Sequence, residues 1–511
     1  MTPEPPMSVV GPPASDAQLA AALADYRALR QGIERHVPPL ATSIDGLTFE
    51  LQSSLDHLEF RRAGYVVLGG RDETRLGQVT DVRVGSVDAS ESALAQGRSV
   101  HVRLALGSGV VLEGDGLPFH DVDVRPATPE EVGAWMDRNP TKNAGLAIGE
   151  LLLAPGVPAV LDSGGLDRHT FMCGQSGSGK TYSLGLLLER VLAETSLRIV
   201  ILDPNSDYVG LGNVREGADA ETVERYDEVR TDVAVWRDDP RGSHPLRLRF
   251  SDLDNAAQAA ILGLDPVRDR DEYARLNELL RDRVAGQRLV GPEQLLESDA
   301  PGARELGLRA MNLGVFGWSV WSPELPSLVD EIRHPTSRCT VVDLGSLATP
   351  QEQHLVAEAV LSTLWESRLT RTPCLVVIDE AHNICPAEAA DPVTQLSADR
   401  AVQIAAEGRK YGLYMLTSTQ RPHKVHENVV SQCDNLLLMR MNSSADLADL
   451  SRVFSFVPEG LMAGATSFRQ GQALVAGKVM PRAAYVTMGA RVSEEGGADI
   501  PRTWASPRDR A

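Results

Sequence analysis

Gly174-Gln175-Ser176-Gly177-Ser178-Gly179-Lys180-Thr181 decides how this chain reads. A strand-like run, His169-Thr170-Phe171-Met172-Cys173, precedes it. Leu184, Leu187, Leu188, Val191 and Leu192 follow it at the spacing of one helix face. Strand, glycine-rich loop and helix in that order aim successive backbone N–H groups at one point, next to the partial positive charge of a helix N-terminus. Gly174, Gly177 and Gly179 are expected to take positive φ and let the backbone approach an anion closely. The pattern G-x-x-x-x-G-K-[ST] is that of a phosphate-binding loop for nucleoside triphosphates. It predicts nucleotide contacts from Gly174, Gln175, Ser176, Gly177, Ser178, Gly179, Lys180, Thr181 and Tyr182. Lys180 would reach the β- and γ-phosphates, and the Thr181 hydroxyl would hold Mg²⁺.

Downstream, apolar runs alternate with helical stretches. Arg198-Ile199-Val200-Ile201-Leu202-Asp203, Cys339-Thr340-Val341-Val342-Asp343, Cys374-Leu375-Val376-Val377-Ile378, Leu413-Tyr414-Met415-Leu416-Thr417-Ser418 and Asn435-Leu436-Leu437-Leu438-Met439-Arg440 read as buried strands. Continuous apolar strands separated by helices predict an α/β fold with a mainly parallel sheet covered on both faces. Thr349-Pro350-Gln351-Glu352 carries the capping signature of a helix start. Residues 210–335 read as a long, largely helical insertion, and Asp265 to Val284 alternates charge like a solvated helix.

The chemistry follows from strand ends. Asp379 closes an apolar strand, so its carboxylate would stand at the sheet's carboxyl edge as the second Mg²⁺ ligand, direct or through water. Glu380 beside it is the candidate base for the attacking water. Gln420, one strand later in Thr417-Ser418-Thr419-Gln420, is placed to contact the γ-phosphate or the water. Asp203 would brace the site or help polarise the water, and His382 is expected to pack or hydrogen-bond. Arg409, in Glu407-Gly408-Arg409-Lys410-Tyr411-Gly412, reads either as a surface basic pair with Lys410 or as an arginine given to a neighbouring subunit's γ-phosphate. Arg440 is a second candidate for that role.

Upstream the character changes. Residues 1–14 are Pro-rich and read as disordered. Ser15-Asp16-Ala17-Gln18 opens a helix whose Leu19, Leu23, Tyr26 and Ile33 share a face, and residues 15–42 read as this helix and a linker. Residues 43–135 hold short alternating runs broken by glycine turns, such as Gly77 to Val84 and Val100 to Leu104, and predict a small β-barrel. The triphosphate-binding domain would span 136–490, with 491–511 a flexible tail or a brace. The chain has 511 residues, 42% of them apolar, enough for two or three packed domains. No apolar run is long enough to span a bilayer, and the N-terminus lacks a signal-peptide pattern. Five cysteines without a C-x-x-C pair read as reduced structural thiols of a cytoplasmic protein. A net charge of −20 argues against an all-basic surface but leaves room for a basic channel inside an acidic exterior.

Taken together, the phosphate loop, Ile201-Leu202-Asp203-Pro204-Asn205-Ser206-Asp207-Tyr208, Val377-Ile378-Asp379-Glu380-Ala381-His382, Glu407-Gly408-Arg409-Lys410-Tyr411-Gly412 and Ser418-Thr419-Gln420-Arg421-Pro422 resemble the HerA branch of the HerA/FtsK ATPases over roughly residues 45–490. The resemblance implies a RecA-like P-loop NTPase core, a HAS-type barrel, ATP as substrate, a homo-hexameric ring, translocation along double-stranded DNA, and a separately encoded nuclease or defence effector as partner. One segment departs from the family pattern. Where Asp-Pro-His-Gly-Glu-Tyr is usual, this chain has Asp203-Pro204-Asn205-Ser206-Asp207-Tyr208. A competing expectation is a scaffold ring that gates a partner through its nucleotide state without moving DNA. Arg421 and Lys424 are candidate phosphate contacts for translocation.

Overall fold

A computed structural model describes residues 16–56, 58–69, 74–88, 101–114, 116–239, 244–284, 295–322 and 326–496. Two compact units divide the chain between Val132 and Gly133.

The first unit is a closed six-stranded barrel. Its strands are β1 Leu40–Ser43, β2 Thr48–Ser53, β3 Tyr65–Gly69, β4 Thr74–Asp88, β5 His101–Glu113 and β6 Phe119–Pro126, in the order β1-β2-β5-β4-β3-β6, with β1 pairing back onto β6. Alternation builds the core: Phe49, Leu51, Val66, Leu68, Val79 and Val124 point inward. Strand β1 begins at Leu40, inside the stretch expected to be linker. The helix Asp16–Arg35 lays Tyr26, Leu29 and Ile33 on Val102 and Leu104, while Leu19 and Leu23 of the predicted face stay exposed. Residues 1–15, and so the Ser15 cap, lie outside the described residues.

The second unit carries a twelve-stranded, mainly parallel sheet. Its strands are β7 Gly145–Leu151, β8 Pro158–Asp162, β9 His169–Cys173, β10 Arg198–Asp203, β11 Val233–Arg237, β12 His244–Pro245, β13 Cys339–Asp343, β14 Cys374–Ile378, β15 Leu413–Thr419, β16 Cys433–Met439, β17 Gln472–Gly477 and β18 Ala484–Met488. The order is β12-β11-β13-β10-β14-β15-β9-β16-β17-β18-β7-β8. The strands from β12 to β16 in this order run parallel, and β17, β18, β7 and β8 continue antiparallel. Strands β9, β13 and β14 are buried at every residue, which is why they read as unbroken apolar runs. The helix Pro350–Glu366 has the full capping box, Thr349 with Glu352, that its sequence predicts.

The insertion, expected to be largely helical, also carries β11 and β12, which extend the sheet edge. Two expectations need correction. The solvated helix begins at Arg270, because the Asp265 carboxylate accepts from Val267 N and Arg268 N and holds a turn ahead of it. The tail does not begin at 491. Arg491, Val492 and Ser493 are buried against the helix Lys180–Glu194, and only residues 497–511 lie outside the described residues.

Candidate active site

Strand β9 lies between β15 and β16, and its carboxyl end feeds the phosphate loop. Ligands of open parallel sheets bind at this edge. Both neighbours hold the loop: Gly174 N donates to Thr419 O at 3.3 Å, and Gln175 N to Arg440 O at 3.0 Å. Gly177 and Gly179 take φ of +73° and +92°, as expected for a loop that turns its N–H groups inward. Gly174 does not take positive φ. It is glycine because of crowding, since a Cβ there would lie 2.7 Å from Met439 Cβ. Helix Lys180–Glu194 starts directly from Gly179 with no side-chain cap, so its first N–H groups stay available to an anion.

Lys180 crosses β15 to reach the next strand. Its Nζ lies 2.7 Å from Asp379 Oδ1, 3.1 Å from Glu380 Oε1 and 3.1 Å from Ser418 Oγ, all of them buried. Burial alone would discharge the ammonium, but the two carboxylates reverse that and hold it above its ordinary pKa. Ser418 also donates to Asp379 Oδ1. Asp379 Oδ2 is buried with no hydrogen-bond partner among the described residues.

Glu380 sits in the left-handed region at φ +43°, a conformation disfavoured for any side chain with a Cβ. The turn presses its carboxylate into a web. Gln420 Nε2 donates to Oε1 at 2.8 Å and Gln420 N to Oε2 at 3.3 Å, while His382 Nδ1 lies 3.2 Å from Oε2. His382 Nδ1 is also 3.0 Å from Thr419 Oγ1, which makes it the hydrogen-bonding residue expected. Burial works against the Glu380 carboxylate, but the His382 hydrogen bond, the Lys180 charge and Gln420 outweigh it and hold its pKa down to about 2.

The turn after β10 brings two more acids. Asp203 is fully buried and accepts from Tyr208 N at 2.8 Å and Asp207 N at 3.0 Å. Burial still pushes its pKa up to about 7. Asp207 is half-buried, and burial together with the Asp379 charge raises it to about 6. Ser206 stands where the resembling pattern has Gly, and it takes φ +63°, the conformation glycine adopts freely. Its hydroxyl donates to Asp343 Oδ1 at 2.7 Å, a bond that glycine could not make.

The loop faces a cleft of about 430 Å³ lined by Gly177, Lys180, Thr181, Tyr182, Gln420 and Glu495 among others. The structure thus brings Lys180, Asp379, Glu380 and Gln420 into contact, with Thr181, Tyr182, Gln175 and Ser176 lining the same cleft. Ser178 is buried beneath the loop, and its carbonyl accepts from Gly471 N at 2.9 Å. Arg409 is not brought in. It precedes β15, at the opposite edge of the sheet from its own loop, where its Nη1 lies 3.5 Å from Asp434 Oδ2. Arg440 lies against its own phosphate loop, its Nη2 donating to Gly177 O at 3.1 Å. Sequence reasoning missed Ser418 and the segment carrying Glu495. The signal for Ser418 was available, since it lies two residues before Gln420 on the strand between β9 and β14. No helix among the described residues is long and apolar enough to cross a membrane.

Residues 146–298 match the family model described as "Helicase HerA, central domain". The DNA double-strand break repair helicase HerA of Pyrococcus furiosus is 22% identical over 399 residues, 67% of this chain and 69% of that protein. Its namesake from Sulfurisphaera tokodaii is 23% identical over 456 residues, 83% of this chain and 88% of that protein. Among solved structures, the plasmid coupling protein TrwB in complex with the GTP analogue GDPNP is 14% identical, with a TM-score of 0.47 over 71% of this chain and 93% of that one.

Proposed function

We propose, from the premise that this chain belongs to the HerA family of P-loop ATPases, that it hydrolyses ATP to move along double-stranded DNA as a homo-hexameric ring. The protein is an ATPase of helicase type. The observation that carries the catalytic reading is the contact of Lys180, Asp379, Ser418, Glu380 and Gln420 at the mouth of the phosphate loop.

The residues fit Mg²⁺. The Thr181 hydroxyl belongs to the cleft lining, and the buried Asp379 Oδ2 has an unused lone-pair set. These two would hold the ion, Asp379 directly or through water. When bound, the ion neutralises charge between the phosphates. The chain's own groups do the rest. Loop N–H groups cradle the phosphates, and Lys180 exchanges its carboxylate partners for phosphate oxygens. Glu380 then loses a neighbouring cation and becomes a stronger proton acceptor. Gln420, bonded to both Glu380 oxygens, orients the carboxylate and passes its displacement to Arg421 and the following segment. Arg409, at the far edge of the sheet, suits donation to a neighbouring subunit's site, where a guanidinium would stabilise charge on the transferring phosphoryl group. A separately encoded nuclease or defence effector would act on the DNA that the ring delivers. The acidic net charge of −20 requires the DNA-facing lining to be locally basic, with Arg421 and Lys424 as candidates.

Hydrolysis measured with and without linear duplex DNA, at two salt concentrations, tests this. Duplex DNA is expected to stimulate a rate that Lys180→Ala abolishes, and added salt to weaken the stimulation as phosphate contacts are screened. Robust hydrolysis that ignores DNA at both salt concentrations would sink the translocase and leave the scaffold ring.

A further inference from the structure

Strand β16 ends at Met439, and the residues that follow it lie against the phosphate loop. Arg440 O accepts from Gln175 N at 3.0 Å, Asn442 N donates to Gln175 Oε1 at 3.2 Å, and Arg440 Nη2 donates to Gly177 O at 3.1 Å. These contacts fix the guanidinium beside the loop residue with φ +73°. A Cβ on Gly177 would lie 3.7 Å from Arg440 Nη2, an ordinary van der Waals contact, so the positive φ and not crowding is what favours glycine here. Arg440 Nε is buried and has no hydrogen-bond partner among the described residues. A guanidinium is a rigid fork of five donors that matches phosphate oxygens, and most of that capacity is unspent here.

The charge balance points the same way. Lys180 is matched by Asp379 and Glu380, and Asp203 and Asp207 lie close enough to Asp379 to feel its charge. A triphosphate would enter a site already rich in carboxylates. A second cation tied to the loop offsets the terminal phosphate, the part of the nucleotide that ADP lacks.

We propose that Arg440 acts within its own subunit as a positioning residue that holds the Gly177 carbonyl and directs its free N–H groups to the terminal phosphate of ATP. The proposal rests on the ATPase reading above. It differs from a role for Arg440 in a neighbour's site, because the guanidinium is already engaged with its own loop.

Binding of ADP and of a non-hydrolysable ATP analogue, each with Mg²⁺, to the full-length protein and two variants tests it. Arg440→Gln keeps an N–H donor for the Gly177 carbonyl but removes the charge and the fork. It is expected to bind ADP about as well as the parent and the analogue about tenfold more weakly, the scale of one lost charged hydrogen bond. Arg440→Lys restores the charge and is expected to recover part of that loss. Equal weakening of both nucleotides, or an unchanged ratio, would reduce Arg440 to a brace of the loop and overturn the proposal. Mixing Arg440→Gln with Lys180→Ala subunits should restore no hydrolysis, and recovery in the mixture would move the residue to the neighbour's site and also overturn it. Failure of the parent to bind either nucleotide overturns the ATPase reading, an outcome separable from a changed ratio.

Discussion

Glu380→Gln will bind ATP and turn over almost none of it. The carboxylate lies 3.1 Å from Lys180 Nζ and 2.8 Å from Gln420 Nε2, and losing a positioned general base typically lowers turnover by roughly 10²–10⁴-fold. Gln preserves the shape, and its carbonyl can still accept from Gln420 Nε2, so the φ +43° turn and the cleft survive. Lys180 keeps Asp379 as a partner. Nucleotide affinity should therefore stay close to that of the parent protein while kcat collapses. Stopped-flow or steady-state hydrolysis, run beside a binding measurement, separates the two. A variant retaining more than about a tenth of parental turnover would remove Glu380 from the role of base. Asp207, the half-buried acid beside Asp379, would then take its place.

Arg491→Ala will loosen the nucleotide-binding helix at its middle. Arg491 Nε and Glu189 Oε1 are 3.5 Å apart, and both side chains are fully buried. Glu189 also accepts from Val492 N at 2.9 Å and Ser493 N at 2.6 Å, and Arg491 Nη2 donates to Glu494 O at 2.9 Å. Gly185 makes room for the guanidinium, since a Cβ there would fall 2.3 Å from Arg491 Cζ. Removing one partner of a buried pair leaves the other charge unsatisfied and costs about 3–5 kcal/mol. Removing both charges while keeping an acceptor for the Val492 and Ser493 N–H groups costs far less, so Glu189→Gln with Arg491→Met should recover much of the loss. Hydrogen exchange of the amides in Lys180–Glu194 reads both. A change under about 1 kcal/mol in Arg491→Ala would show that the pair carries no net stability. Arg491 backbone N donates to Tyr182 Oη at 2.7 Å, so loosening of the segment that carries it should also weaken nucleotide binding.

What the sequence made legible was local. The phosphate loop, the Asp379-Glu380 strand end and Gln420 are contiguous motifs whose chemistry follows from where a parallel strand stops. The Thr349 capping box depends on four residues and forms as read. Strand β7 was hidden because it pairs with β18, far along the chain, and β8, a short edge strand, pairs only with β7. Val233-Ala234-Val235-Trp236 did carry a strand signal, buried at alternate residues, but polar helical flanks masked it. Ser206 shows the limit of pattern reading in the other direction. A serine departs from the resembling pattern at a glycine position, yet it keeps the positive φ and gains a bond to Asp343. The sequence offered Arg409 first and Arg440 second for the same role. Only the sheet order shows that one lies on the loop and the other beyond the far ends of the strands.

The buried pair between helix Lys180–Glu194 and residue 491 also sets when the ATPase comes into being. A chain leaving the ribosome exposes its phosphate loop early, but Glu189 has no Arg491 counter-charge until residue 491 has also been made. Until then the helix holds a carboxylate that resists burial, and the loop it supports stays incompletely packed. A message cut short before Arg491 would leave that helix without the distant segment that closes over it.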